Sequence, residues 1–87
     1  MSKTTVRDVK VHRIRSNSWE NSKYVYIELS KVHPDKAEKG RARVIPDNEG
    51  AGWIVNLAME AKIHKLSCYA YGNLEDGRLT LYEFGLE

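Results

Sequence analysis

The sequence predicts an α+β fold in which five strands and one helix follow the order βββαββ. Several short runs alternate apolar and polar residues, as in Tyr24-Val25-Tyr26-Ile27-Glu28-Leu29, and this period of two is typical of strands with one buried face. Residues 51–65 instead carry apolar side chains at helical spacing and contain no proline. This order favours a two-layer sandwich, with the helix on one face of a mostly antiparallel five-stranded sheet.

The first predicted strand covers residues 6–15 and has an irregularity near its end. Ile14 breaks the alternation of the preceding valines. We therefore expect a β-bulge or a strand end near Arg13. Residues 1–5, ahead of this strand, are expected to form a frayed tail.

Turn-forming residues set the bounds of the remaining elements. Pro34 excludes a central strand where it stands, and Asp76-Gly77 is typical of a hairpin turn. The other predicted strands span residues 23–31, 39–45, 66–72 and 78–84. The helix has a wide apolar arc that includes Trp53, Met59 and Ile63, which indicates that it should be mostly covered.

One side of the predicted sheet should form the core of a single domain, since a chain of 87 residues buries one modest core. The residues that share the core side are Val9, Val11, Val25, Ile27, Leu29, Ala42, Val44, Cys68, Ala70, Leu79 and Leu81. One helix cannot cover both sides of five strands, so the opposite side is expected to stay open. The final Leu86-Glu87 is compatible with a cloning scar and carries no weight in this assignment.

Alternation places all five tyrosines on the open side of the predicted sheet, together with basic residues. Its members are Lys10, His12, Tyr24, Tyr26, Glu28, Arg41, Arg43, Ser67, Tyr69, Tyr71, Thr80 and Tyr82, and Phe84 shares their alternation. Aromatic rings on a sheet stack unpaired bases while arginine and lysine hold phosphates, so this side is a candidate for binding single-stranded nucleic acid. Tyrosine and arginine are equally typical of protein–protein hot spots.

Nine residues are the candidate binding residues. Eight belong to the open side: Lys10, Tyr24, Tyr26, Arg41, Arg43, Tyr69, Tyr71 and Tyr82. The ninth, Trp19, lies in the polar loop 16–22, where it either anchors a partner or folds back over a sheet edge. Two explanations without a foreign ligand stay open. Tyrosines stabilise solvent-facing antiparallel sheets through cross-strand pairs, and a face-to-face homodimer would also account for the pattern.

Charge is distributed unevenly along the chain. Residues 1–45 carry eleven Lys and Arg against five Asp and Glu, a net charge of +6, and residues 46–87 carry three against seven, a net charge of −4. Two such halves indicate two different interaction surfaces, unless they interleave in the folded sheet and neutralise each other.

The sequence contains no pattern typical of an enzyme, a metal site or a membrane span. The three histidines have no second ligand at metal spacing, and the single Cys68 excludes an internal disulfide. No stretch is long and apolar enough to span a membrane, and the N-terminus has no apolar signal region. We therefore expect a non-catalytic cytoplasmic protein without a cofactor, in which Cys68 is a buried packing residue.

Two segments carry a resemblance to known proteins. Gly40-Arg41-Ala42-Arg43, followed by a turn-rich loop and the helical stretch Asn56-Leu57-Ala58-Met59-Glu60, is similar to part of an inhibitor of type I CRISPR complexes, one of the small phage-encoded anti-CRISPR proteins. The resemblance implies a non-enzymatic protein that blocks a nucleic-acid-processing complex by binding it, and it assigns no individual residue a role. Docking on a protein component of such a complex is our first expectation, and direct binding of single-stranded nucleic acid by the same side is the alternative.

Overall fold

The computed structural model describes residues 2–17, 24–45 and 50–87. Its elements, in chain order, are β1 (Ser2–Val9), β2 (Val11–Asn17), β3 (Tyr24–Leu29), β4 (Gly40–Val44), α1 (Ala51–His64), β5 (Cys68–Glu75) and β6 (Arg78–Leu86). The predicted α+β class with one helix is confirmed for this part of the chain. The sheet has six strands rather than five, and it is mixed, because β4 and β6 run parallel while the other neighbours are antiparallel.

The sixth strand arises because the predicted first strand is interrupted at Lys10. β1 pairs with β5 and β2 pairs with β3, at opposite ends of the strand order β1-β5-β6-β4-β3-β2. The prediction of a frayed tail is wrong, since β1 begins at Ser2 and pairs Ser2 with Leu74. The predicted irregularity near Arg13 is confirmed by a register shift between Val11 and Arg13.

The position of the two edge strands requires the sheet to curl. Six strands laid flat at ~4.8 Å spacing would hold β1 and β2 about 24 Å apart. Val9 ends β1 and Val11 begins β2, so their Cα atoms are at most ~7.6 Å apart across two peptide units. The backbone N–H of Ser30 also donates to the Lys10 carbonyl oxygen at 2.9 Å. The sheet is therefore a partly closed barrel at this end, with a concave inner face and a convex outer face.

The inner face of the curled sheet forms the core. The largest fully buried side chains are Val6, Val9, Ile27, Leu29, Val44, Cys68, Leu79 and Leu81. Every predicted core residue is buried except Val25, which is partly buried and packs against the same cluster. Side chains on the concave face thus contact one another and bury much of the apolar surface that, in a flat sheet, only the helix could cover.

A bulge in β6 explains one wrong expectation. Tyr71 pairs with Glu83 but Gly72 pairs with Leu81, so Tyr82 is an extra residue opposite the step between them. The alternation of β6 therefore shifts, and Phe84 points into the core with 4% of its surface exposed instead of sharing the open side.

Helix α1 buries a narrow stripe rather than most of its surface. Ala51, Ile54, Ala58 and Ala61 are buried where the helix packs on β6, β2 and β4. The expectation of a mostly covered helix is wrong, because its wide apolar arc also includes side chains that point to solvent: Trp53 (75% exposed), Met59 (48%) and Ile63 (67%). The helix ends at His64, one residue before the predicted end, and the left-handed conformation of Lys65 lets the N–H of Leu66 donate to the Ala61 carbonyl oxygen at 2.9 Å.

Candidate binding face

All five tyrosines lie on the outer face of the sheet, opposite in alternation to the buried residues of their strands. The curl divides this face into two sectors. We define the arginine sector, on β2, β3, β4 and the start of β6, by Arg13, Arg15, Tyr24, Tyr26, Arg41, Arg43 and Arg78. We define the tyrosine sector, on β1, β5 and the bulge of β6, by Arg7, Tyr69, Tyr71, Tyr82 and Glu83.

Arginine side chains cover the rings of the arginine sector. The guanidinium carbon of Arg43 lies 4.9 Å from the centre of the Tyr24 ring, and that of Arg41 lies 5.8 Å from the centre of the Tyr26 ring. The two rings are 6.1 Å apart and tilted by 57° to each other, so neither is stacked flat on its neighbour. Both tyrosines are half-buried, which holds the rings in place and leaves part of each accessible.

Within the described residues, no ion pair neutralises the arginines of the arginine sector. The ion pair found there is His64 with Glu60 on the helix, at 3.3 Å. Glu28 lies opposite Arg13 and Arg41, and Glu75 lies opposite Arg78 at the edge of the sector, yet neither carboxylate forms an ion pair with these arginines. Unpaired guanidinium groups beside aromatic rings are available to an anionic ligand with flat groups.

The tyrosine sector differs in charge. Tyr71 and Tyr82 form a ring pair with centres 6.0 Å apart and an angle of 58°. Tyr82 is 45% exposed because it occupies the bulge. Arg7 and Glu83 balance each other in this sector, so its surface is aromatic and close to neutral.

Tyr69 has a structural role that separates it from the other tyrosines. Its hydroxyl donates to the Glu83 carboxylate at 2.6 Å, and Arg7 lies 5.8 Å from the ring centre. The ring covers Gly85 so closely that a Cβ added there would lie 2.6 Å from Tyr69 Cε1. The hydrogen bond to Glu83 raises the pKa of Tyr69. Because its hydroxyl is hydrogen-bonded and its ring packs on Gly85, Tyr69 stabilises the sheet and is not a free surface for stacking.

Two of the candidate binding residues are not in these sectors. Lys10 Nζ donates to the Lys65 carbonyl and to Ser67 Oγ, both at 3.0 Å, which holds it at the end of the helix. Ser67 Oγ in turn donates to Asp8 Oδ1 at 3.1 Å. The expectation that Lys10 and Ser67 join the tyrosines is therefore wrong, because the interruption at Lys10 ends the alternation. Trp19 and most of its loop lie outside the described residues.

Four arginines of the outer face were missed by sequence reasoning: Arg7, Arg13, Arg15 and Arg78. Arg78 stands two residues before Thr80, so strict alternation along β6 was the signal that places it. Arg13 and Arg15 change sides at the register shift of β2, and Arg15 comes to lie opposite Tyr26. No sequence signal fixes the length of such a shift.

The remaining groups offer little other chemistry. Burial raises the pKa of the Cys68 thiol, which therefore stays protonated. Across the described ranges, no three His, Cys, Asp or Glu side chains cluster where they would hold a metal ion. None of the described helices is long and apolar enough to cross a membrane. Comparisons of the chain with family models, with curated proteins and with solved structures gave no match.

Proposed function

We propose that the arginine sector binds single-stranded nucleic acid. One observation supports this most strongly: five arginines that form no ion pair within the described part of the chain share a convex sheet face with two half-buried tyrosine rings, and two of them lie over the rings. Guanidinium groups hold phosphates, and each base stacked on an aromatic ring contributes about 1–3 kcal/mol. Two accessible rings and five cations therefore match a short stretch of unpaired strand better than they match a dry protein interface, whose core is depleted in charge.

Architecture supports the same conclusion. Partly open five-stranded Greek-key barrels of the oligonucleotide/oligosaccharide-binding type bind their ligands on the face of the second and third strands. If the interrupted segment β1–β2 is counted as one strand, the second and third strands are β3 and β4, which carry both rings and two arginines of the arginine sector. The analogy with this fold indicates only where a ligand would bind, and the argument for a nucleic-acid ligand comes from the side chains.

Fluorescence anisotropy with a labelled oligothymidylate of about twelve nucleotides, at about 50 mM salt, tests the proposal. The double variant Tyr24→Leu/Tyr26→Leu keeps apolar volume on β3 but removes both stacking rings. We expect it to bind about 30-fold or more weakly, which corresponds to about 1 kcal/mol lost per base.

The matched control is Tyr71→Leu, which removes a ring of the tyrosine sector and should leave the affinity unchanged. A duplex of the same length should bind more weakly than the single strand, because its bases are not free to stack. Absence of binding to the single strand at low salt would refute the proposal.

Docking on a protein partner is the second candidate, and the tyrosine sector favours it. Tyr71 and Tyr82 form an exposed ring pair in a nearly neutral surface, which is typical of an interface hot spot. A component of a nucleic-acid-processing complex, as the anti-CRISPR resemblance implies, would then contact one sector while a strand contacts the other. A partner captured from lysate after nuclease treatment and lost with Tyr82→Ala supports this candidate; a partner lost on nuclease treatment counts against it.

A further inference from the structure

A cavity of about 160 Å³ lies beside the arginine sector, next to the hairpin that joins β5 and β6. We name it the hairpin pocket. It is lined by Arg43, Glu75, Asp76, Arg78 and Thr80. A second cavity of about 200 Å³ on the same outer face, the strand pocket, is lined by Arg15, Ser16, Tyr26 and Arg41. The hairpin pocket contains carboxylates and the strand pocket has none, so the two suit different parts of a ligand.

The charged groups of the hairpin pocket do not satisfy one another. Glu75 and Arg78 are opposite each other in the hairpin, yet no ion pair joins them or their neighbours in the described chain. Arg43 Nε donates to Thr80 Oγ1 at 2.9 Å, which fixes the guanidinium and leaves its terminal amino groups directed elsewhere. The guanidinium groups and carboxylates that line the pocket therefore offer donors and acceptors to a ligand.

The mixture of charges selects the kind of ligand. A phosphate would be repelled by Glu75 and Asp76, so the strand pocket is the better site for the backbone. A group that fits the hairpin pocket must offer acceptors to the arginines and donors to the carboxylates at the same time. The arginines and the carboxylates line the same cavity of about 160 Å³, so a single nucleobase in it could contact both.

We infer that the hairpin pocket reads a guanine base in the bound strand, an inference that rests on the proposed function. Guanine offers adjacent acceptors, O6 and N7, which arginine contacts with two hydrogen bonds. Its N1–H and 2-amino group are adjacent donors that suit one carboxylate. Thymine lacks an adjacent acceptor pair, and cytosine and adenine lack an adjacent donor pair, so guanine alone matches both sets.

Arg43 connects this pocket to the stacking surface. Its side chain lies over the Tyr24 ring and also lines the hairpin pocket. A strand that places guanine in the pocket therefore brings the neighbouring base to Tyr24. The site would then select guanine at the nucleotide in the hairpin pocket and accept any base at the nucleotide stacked on Tyr24.

The test compares labelled oligothymidylates of about twelve nucleotides that carry guanine, hypoxanthine or thymine at one central position. Hypoxanthine keeps O6 and N7 but lacks the 2-amino group. We expect the guanine strand to bind about fivefold or more tightly than the thymine strand, with hypoxanthine between them. The double variant Glu75→Gln/Asp76→Asn should lower the ratio of guanine to thymine affinity, because it weakens the contacts to N1–H and the 2-amino group while the arginine contacts to O6 and N7 remain. Asparagine tolerates the left-handed conformation of Asp76 (φ 52°), so the hairpin is preserved.

Glu83→Gln, which removes a carboxylate from the tyrosine sector, is the control and should keep the guanine preference. Two results would overturn the inference and leave the proposed function standing: equal affinity for the guanine and thymine strands, or an undiminished guanine preference in the double variant. No binding to any strand overturns both. Guanosine monophosphate at the same concentration should not displace the strand, because it offers one phosphate where the strand offers several to the arginine sector. Displacement would refute the assignment to a base within a strand.

Discussion

Removal of one arginine from the arginine sector should change how binding responds to salt. Each phosphate that a protein neutralises on a single strand contributes about −0.7 to the slope of log K against log salt concentration. Arg43 and Arg78 line the hairpin pocket, where Glu75 and Asp76 repel a phosphate, so the arginines of the sector that remain available to phosphates are Arg13, Arg15 and Arg41. These three predict a slope of about −2.1 when each engages one phosphate. Raising salt from about 50 to 200 mM should then weaken oligothymidylate binding about 18-fold.

The variant Arg41→Gln should reduce this slope to about −1.4, so that the same change in salt weakens binding only about sevenfold. Arg41 is exposed and lies over Tyr26, so the substitution also loses a cation–π contact. That loss shifts the affinity at every salt concentration equally, and only the slope reports the lost phosphate contact. Anisotropy titrations at four or more salt concentrations provide the measurement.

The matched variant is Arg7→Gln, which removes the same charge from the tyrosine sector, where Arg7 lies over Tyr69. Its slope should equal that of the unchanged protein. An Arg41→Gln slope equal to that of the unchanged protein, or an equal change in both variants, would show that the strand does not follow the arginine sector.

Three further predictions concern stability. Gly72→Ala should lower the free energy of unfolding in urea by about 1–3 kcal/mol or more, because the added Cβ would overlap the backbone carbonyl of Thr80 on the paired strand. Gly52→Ala, on the open side of α1, should raise it by about 0.5–1 kcal/mol. Equal effects of the two substitutions would contradict the bulge. Ile54→Ala should lower the free energy of unfolding by about 2–5 kcal/mol, because Ile54 is buried, and Trp53→Ala should lower it by less than about 0.5 kcal/mol, because Trp53 is exposed. A large effect of Trp53→Ala would show that this side of the helix is buried. The raised pKa of Tyr69 stabilises the fold below the ordinary tyrosine value of about 10, and this contribution is lost as pH rises through the raised pKa. Tyr69→Phe should therefore flatten the alkaline fall in stability, measured by urea unfolding at a series of pH values.

Local patterns were sufficient for most elements and for the core. Val25, Ile27 and Leu29 were assigned to the inside by alternation alone, because strand side chains point to opposite faces regardless of context. The Asp76-Gly77 turn was also predictable, since both residues adopt positive φ (52° and 74°) that few other pairs tolerate.

Long-range pairing was not predictable in the same way. Asp8 has a positive φ of 56°, and the interruption at Lys10 sends the chain from one edge of the sheet to the other. β1 joins β5 by pairing with residues more than fifty positions away, as in the pairing of Val6 with Ala70. The bulge at Tyr82 likewise forms against the tight approach of Gly72 to β6, and it alone turned Phe84 inward.

For the candidate site, the sequence by itself determined that the five tyrosines, Arg41 and Arg43 share one side of a sheet, because alternation is a property of each strand alone. Only the tertiary structure decided that this side is convex and divided. Strand pairing brings Arg15 opposite Tyr26, Arg78 opposite Arg41 and Tyr69 against Gly85, and the interruption between β1 and β2 moves Lys10 to the end of the helix. The physical reason is that neighbours across a sheet are set by strand order, register and curvature, which arise from contacts that no local stretch of sequence contains.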